Sequence, residues 1–300
     1  MQKTIKEICR KPPAHWVGDG FHVYPVFANK AFTSELSPFL MFDYAAPKEF
    51  PSSTKRRGVG MHPHRGFETV TVAFQGEVEH FDNKGNKGVI GSGDVQWMTA
   101  ARGIVHQEFH SQEFAKKGGV FEMCQLWVNL PKEHKMTEPR YQPILNGDIP
   151  KVELLRVSKD TGDCSVAQIE DGYVRVIAGQ FRDAVGPAKT FTPMNMWDIA
   201  LLTKSVAFEF DIAAGHTLLV FVRRGAVKVE GEELKLADVA IMNQEGTILT
   251  LQATQDDTSV LILSGEPIKE PIAARGPFVM NTEAELGQAM MDYRYGQNGF

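Results

Sequence analysis

The sequence predicts an all-β chain of two β-barrel domains with a short helix at the C-terminus. Short strand-like runs recur along its whole length, glycine, asparagine and aspartate separate most of them, and 300 residues suit two domains better than one. In the first half, residues 67–74 (FETVTVAF) have the density of β-branched and aromatic side chains that a pleated surface favours. Gln75-Gly76 interrupts this run and residues 78–82 alternate again. The glycines of residues 83–88 mark a turn, and short strands follow at 95–98 and 121–130, the last stopped by Pro131. The second half repeats this pattern at 173–178, 196–203, 206–210, 217–222, 226–229, 237–242, 248–253 and 259–264. Pro139, Pro143, Gly147 and Pro150 place the linker in residues 138–151 and divide the chain into domains 1–140 and 141–300. Thr282 stands three residues before Glu285 in a capping-box pattern, and Leu286, Ala289, Met290 and Tyr293 have helical spacing, so the second domain is expected to end in a helix that packs its apolar stripe on a barrel.

The formal net charge of −5 argues against a nucleic-acid backbone as direct partner. Three scattered cysteines, Cys9, Cys124 and Cys164, form no Cys-x-x-Cys pair and suit thiols in a reducing compartment. With no signal-type segment and no run long enough to span a bilayer, the expectation is a cytoplasmic, membrane-independent monomer.

Six of the nine histidines lie between His62 and His134. In His62-Pro63-His64 the two imidazoles lie two residues apart and share one face of an extended chain. Pro63 cannot donate to a sheet ladder, which points to an edge, a strand end or a bulge. His106-Gln107-Glu108 has the same spacing. On facing strands these segments would present three imidazoles and a carboxylate to one point. Such a donor set suits iron, manganese, nickel, cobalt or zinc, with open positions suiting non-haem iron. Glu68 shares parity with His64 but lies roughly 13 Å along a straight strand, so it reads as a second-choice ligand or an orienting group unless Gly66 bends the chain. His80 reads as a polar face residue, and His110, two beyond Glu108, as a loop histidine or one that reaches the mouth of the site. The basic run Lys55-Arg56-Arg57 reads as a solvated loop or as an electrostatic lip for an anionic substrate. No phosphate-binding glycine loop or nucleophile elbow is present.

At these residues the chain resembles the pirin family. The resemblance is carried by HPHRGFETV (62–70), GDVQWMTA (93–100), GIVHQE (103–108), LWVNL (126–130), SGEP (264–267) and GPFVMN (276–281). It implies a bicupin, two cupin-type barrels, of which the second has lost its metal. It also implies that His62, His64, His106 and Glu108 hold one divalent transition metal, usually Fe(II). Pirins share two departures from the general cupin pattern, at Glu68 and at Thr99-Ala100. Some members resemble quercetin 2,3-dioxygenase and open flavonols with dioxygen, Glu108 or Glu68 taking the proton. Others act as metal-bound partners of transcription regulators or metabolic enzymes.

Overall fold

The structure is a computed structural model and describes residues 1–159 and 166–300. Cys164 lies outside the described residues. The chain folds into two compact units, Pro12–Asp148 with Pro267–Phe300, and Met1–Lys11 with Ile149–Glu266. The passage from one to the other at residues 148–149 falls inside the proline-rich stretch 138–151. The termini are exchanged relative to the expected division at residue 140, and the C-terminal helix belongs to the first unit.

The exchange has a local cause at each end. Strand Ile5–Cys9 pairs antiparallel with Val239–Met242 as the edge of the second unit's larger sheet. The Lys3 ammonium fixes its start by donating to the carbonyls of Asn243 and Gln244 at 3.2 and 3.0 Å. At the other end, Arg65 N donates to Pro277 O (3.2 Å) and Val279 N to Arg65 O (3.0 Å). An edge strand pairs through backbone groups, so no side-chain pattern names its partner.

Both units have the same plan, one seven-stranded and one four-stranded antiparallel sheet. In the first unit the large sheet runs Arg140–Ile144, Val95–Thr99, Phe67–Gln75, Gly119–Asn129, Phe39–Phe50, Phe21–Pro25, His15–Val17. The small sheet runs Gly58–His64, Ile104–His110, Val78–Asp82, Lys87–Ile90. Phe21, Val23, Phe50, Phe121 and Met123 belong to its apolar core. In the second unit Leu154, Val174, Trp197, Phe210, Leu218 and Ile262 are buried in a larger apolar cluster.

Helix Glu283–Tyr295 opens with a complete capping box: Thr282 accepts from Glu285 N, and Glu285 accepts from Thr282 N. It stops at Gly296, whose φ of 64° suits a left-handed cap. Leu286 and Ala289 pack on Phe278 and Met280 of the first unit. A short helix at Gln112–Lys117, capped by Ser111, has no counterpart in the sequence reading. Cys9 and Cys124 form no disulfide. Among the described residues, no helix is long and apolar enough to cross a membrane.

Candidate metal centre and ligand pocket

Strand Gly58–His64 is the edge of the small sheet, where Pro63 interrupts no ladder that needs its missing N–H. Among the described residues its strand partner is Ile104–His110, in a register that sets His62 directly opposite His106. Directly opposed residues of an antiparallel pair project to one face, so the two segments bring their imidazoles together. Ring centroids are 4.4 Å apart for His62–His106, 4.8 Å for His62–His64 and 4.9 Å for His64–His106. One ring nitrogen from each lies within 4.8 Å of the others. Bonds of about 2.0–2.1 Å to one ion would hold nitrogens within about 4.2 Å of each other, so the three side chains stand near a coordinating arrangement.

The chain then turns the corner into the large sheet through Arg65 and Gly66. Gly66 has a φ of +89°, and a Cβ there would meet Val279 O at 1.9 Å, so only glycine lets the two segments approach this closely.

His64 and His106 are 3% and 1% exposed, and His62 is half-buried. Both ring nitrogens of His106 and Nδ1 of His64 are buried with no hydrogen-bond partner. Buried polar atoms rarely go unmatched, and an orphaned set of lone pairs on converging rings is what a cation satisfies. His62 Nδ1 donates to the Gly60 carbonyl at 2.8 Å, which leaves Nε2 as its lone-pair nitrogen. Burial, reinforced by repulsion from neighbouring imidazoles, holds His64 and His106 well below the ordinary histidine range. Both rings are therefore neutral near pH 7, as metal ligation requires. On donor type, burial and orphaned nitrogens, the residues fit a divalent transition metal.

A bulge between His106 and Glu108 sets Glu108 opposite Val59 instead of opposite Gly60. Glu108 is 4% exposed. Its Oε2 accepts from Gln125 Nε2 at 2.9 Å and its Oε1 from Thr71 at 3.4 Å. Its carboxylate stands outside the 4.8 Å group of imidazoles but lines the same pocket as His62 and His64. This pocket has a volume of about 330 Å³, within the range of small-molecule sites. Val17, Phe21, Met41, Val59, Met123 and Trp127 contribute to its apolar wall. The Trp127 ring stacks on Phe67 at 4.2 Å and meets His64 edge-on at 5.1 Å, so a flat aromatic face adjoins the imidazoles.

Several other residues lie differently from the sequence reading. Glu68 pairs across strands with Thr99 and Val128, and Thr99 Oγ1 donates to it at 2.6 Å. It does not line the pocket, and burial raises its carboxyl to about 7. The reason is alternation: Thr69 and Thr71 occupy the other face of that strand. His80 is 8% exposed and stacks on Tyr141 at 5.2 Å, because Gly88 opposite it has no side chain to displace the ring. His110 ends a strand inside a cluster of Phe21, Phe50, Phe114 and Phe121, with Nε2 donating to Gly20 O at 2.9 Å. Burial lowers its pKa to about 4. Lys55 pairs with Asp19 (2.8 Å), Arg56 with Glu79 (3.0 Å), and Arg57 lies over Phe50, so none of the basic run lines this pocket. In the second unit His216 Nδ1 is 3.2 Å from Ser264 Oγ.

The sequence reading did not single out Asp43 and Gln125, which also line the pocket, or two buried basic residues, Arg65 and Lys135. Arg65 follows His64 directly. It pairs with Asp292 of the C-terminal helix at 2.7 Å, donates to the Arg102 and Asn298 carbonyls, and lies 4.6 Å over the Phe300 ring. Lys135 donates to Gly66 O, Asn129 Oδ1 and Val279 O at 2.7, 2.6 and 3.1 Å. A charged residue within an apolar run, such as Asp43 in LMFDYA, was the available signal.

Two antiparallel barrel units of one plan, the first with converging histidines at an apolar pocket, define a bicupin. The chain matches the pirin family over residues 20–128 and the pirin C-terminal cupin domain over residues 196–299. It is 48% identical over 296 residues to a Pseudomonas aeruginosa protein with the provisional name quercetin 2,3-dioxygenase, covering 98% of each chain. The crystal structure of a quercetin 2,3-dioxygenase from Acinetobacter baumannii superposes with a TM-score of 0.90 at 47% identity, covering 99% of this chain and 98% of that one. The bacterial pirin YhhW of Escherichia coli, in complex with nickel(II), shares the fold with a TM-score of 0.60 at 23% identity, covering 87% and 99%. The chain belongs to the pirin family.

Proposed function

We propose that this chain is a metal-dependent dioxygenase of the quercetin 2,3-dioxygenase type that cleaves a flavonol with dioxygen. The observation behind this reading is a single apolar pocket whose polar groups include His62, His64 and the buried Glu108 carboxylate. His106, directly opposite His62, completes the histidine cluster. The names of the two most similar relatives described above point the same way. His62, His64, His106 and Glu108 would hold the ion, iron(II) in the first instance and nickel, cobalt, manganese or zinc as alternatives. When bound, such an ion would acidify the flavonol 3-hydroxyl, and a redox-active one would also support electron transfer to dioxygen.

The chain's own residues supply the remaining chemistry. Trp127 offers a flat face along which a planar ring lies, and the valine, methionine and phenylalanine side chains exclude water from the reacting ring. Glu108 would accept the 3-hydroxyl proton, its carboxylate oriented by Gln125 and Thr71. Oxygen uptake on adding quercetin to metal-loaded protein tests the reading, and His106→Ala should abolish it. No uptake across a flavonol panel, with metal bound, would favour the alternative role of a non-catalytic metal-bound regulatory protein.

A further inference from the structure

The pocket contains a second carboxylate, which takes no hydrogen bond from the described residues. Asp43 lies in strand Phe39–Phe50 directly opposite Gln125, which is itself opposite Thr71. The three side chains therefore share the pocket face of the large sheet. Gln125 is occupied elsewhere: its Nε2 donates to Glu108 and Thr71, and its Oε1 accepts from Trp127 Nε1 at 3.4 Å. Among the described residues, no hydrogen-bond donor reaches the Asp43 carboxylate, although it lines the pocket.

The Asp43 carboxylate is partly exposed on an apolar wall and is an acceptor open to the pocket. A ligand hydroxyl would meet it. Among the described residues no lysine or arginine lines the pocket, so an anionic group set against Asp43 would find no protein cation beside it and would be repelled by that carboxylate. We propose that Asp43 is a specificity-determining residue that accepts a hydrogen bond from a hydroxyl of an uncharged, flat, polyhydroxylated aromatic ligand. Burial pushes its carboxyl up to about 6, against the pull of His15, so at pH 7 it is mostly ionised and a strong acceptor. The ligand class rests on the flavonol reading above, while the role of Asp43 stands on the pocket geometry.

The test is anaerobic calorimetric binding to metal-loaded wild type, Asp43→Leu and Asp43→Asn. The probes are quercetin and flavone, which has the same ring frame without hydroxyls. A hydrogen bond to a charged acceptor predicts that Asp43→Leu weakens quercetin binding by about tenfold to a hundredfold. Flavone affinity and metal content should hold at the wild-type level. Asp43→Asn retains an acceptor oxygen and should lose only about fivefold. It carries the test if the leucine variant misfolds. Quercetin and flavone affinities unchanged in the folded variants would overturn the role of Asp43 alone. A wild type that binds neither probe would overturn the flavonol reading, and this proposal with it.

Discussion

The ion pair behind the histidine strand allows the most direct estimate of how the C-terminal segment supports the site. Arg65 and Asp292 are each 1% exposed and 2.7 Å apart. Burial works to raise the Asp292 carboxyl, but hydrogen bonds from Arg65, Gln288 and Asn298 outweigh it and hold the pKa below the ordinary range. Asp292→Asn preserves the shape and removes the charge. Opposite charges about 4 Å apart attract by about 4 kcal/mol at an effective dielectric constant near 20. The amide keeps a neutral hydrogen bond worth about 1 kcal/mol. The expected loss is therefore about 3 kcal/mol, the low end of what orphaning one member of a buried pair costs. For a unit of this size that lowers its melting temperature by about 6–12 °C. Calorimetry of the whole chain reads this as a downward shift of one transition, that of the unit containing the helix. Glu283→Gln on the same helix is the control. It breaks an Arg275 pair whose members are 62% and 72% exposed, and should cost less than about 0.5 kcal/mol. The pH dependence has a definite sign. A depressed folded pKa contributes stability above the unfolded value near 3.9 and loses it as pH falls through the folded pKa, so wild type and Asp292→Asn should converge below about pH 4. A loss no larger than the control's, or a difference independent of pH, would refute the reasoning.

Two further outcomes follow from neighbouring groups. Burial lowers Lys135 to about 7 in the fold, against roughly 10.4 when unfolded. Between those values the unfolded chain binds more protons, so wild-type stability should rise with pH from about 7 to 10 relative to Lys135→Met, and parallel urea-unfolding profiles would contradict this. Gln125→Leu removes the 2.9 Å donor that orients Glu108 and should weaken metal affinity by about tenfold to a hundredfold in chelator competition; an unchanged affinity would show that Gln125 orients nothing.

What the sequence made legible was local pattern. Residues 67–74 and 78–82 alternate or concentrate β-branched side chains, and both are strands within a residue of the expected bounds. Thr282 and Glu285 state their capping box in their spacing. The shared face of His62 and His64 follows from period two alone, but their meeting with His106 depends on a cross-strand register that no spacing encodes. The exchange of termini was hidden for the same reason: nothing in residues 5–9 names the strand they pair with, and nothing in Asp292 points to Arg65. His80 and His110 were misplaced because stacking on Tyr141 and packing among phenylalanines are tertiary facts. Asp43 and Gln125 carry no motif. Their importance comes from lying side by side on one face of a sheet whose strands are far apart in sequence.

The account depends most on the three imidazoles acting as one metal site. Elemental analysis of wild type, His62→Ala, His64→Ala and His106→Ala, each reconstituted anaerobically with iron(II) and dialysed, measures this directly. The account predicts close to one ion per wild-type chain and almost none in any of the three folded variants. Full metal content in the His106→Ala protein would contradict it.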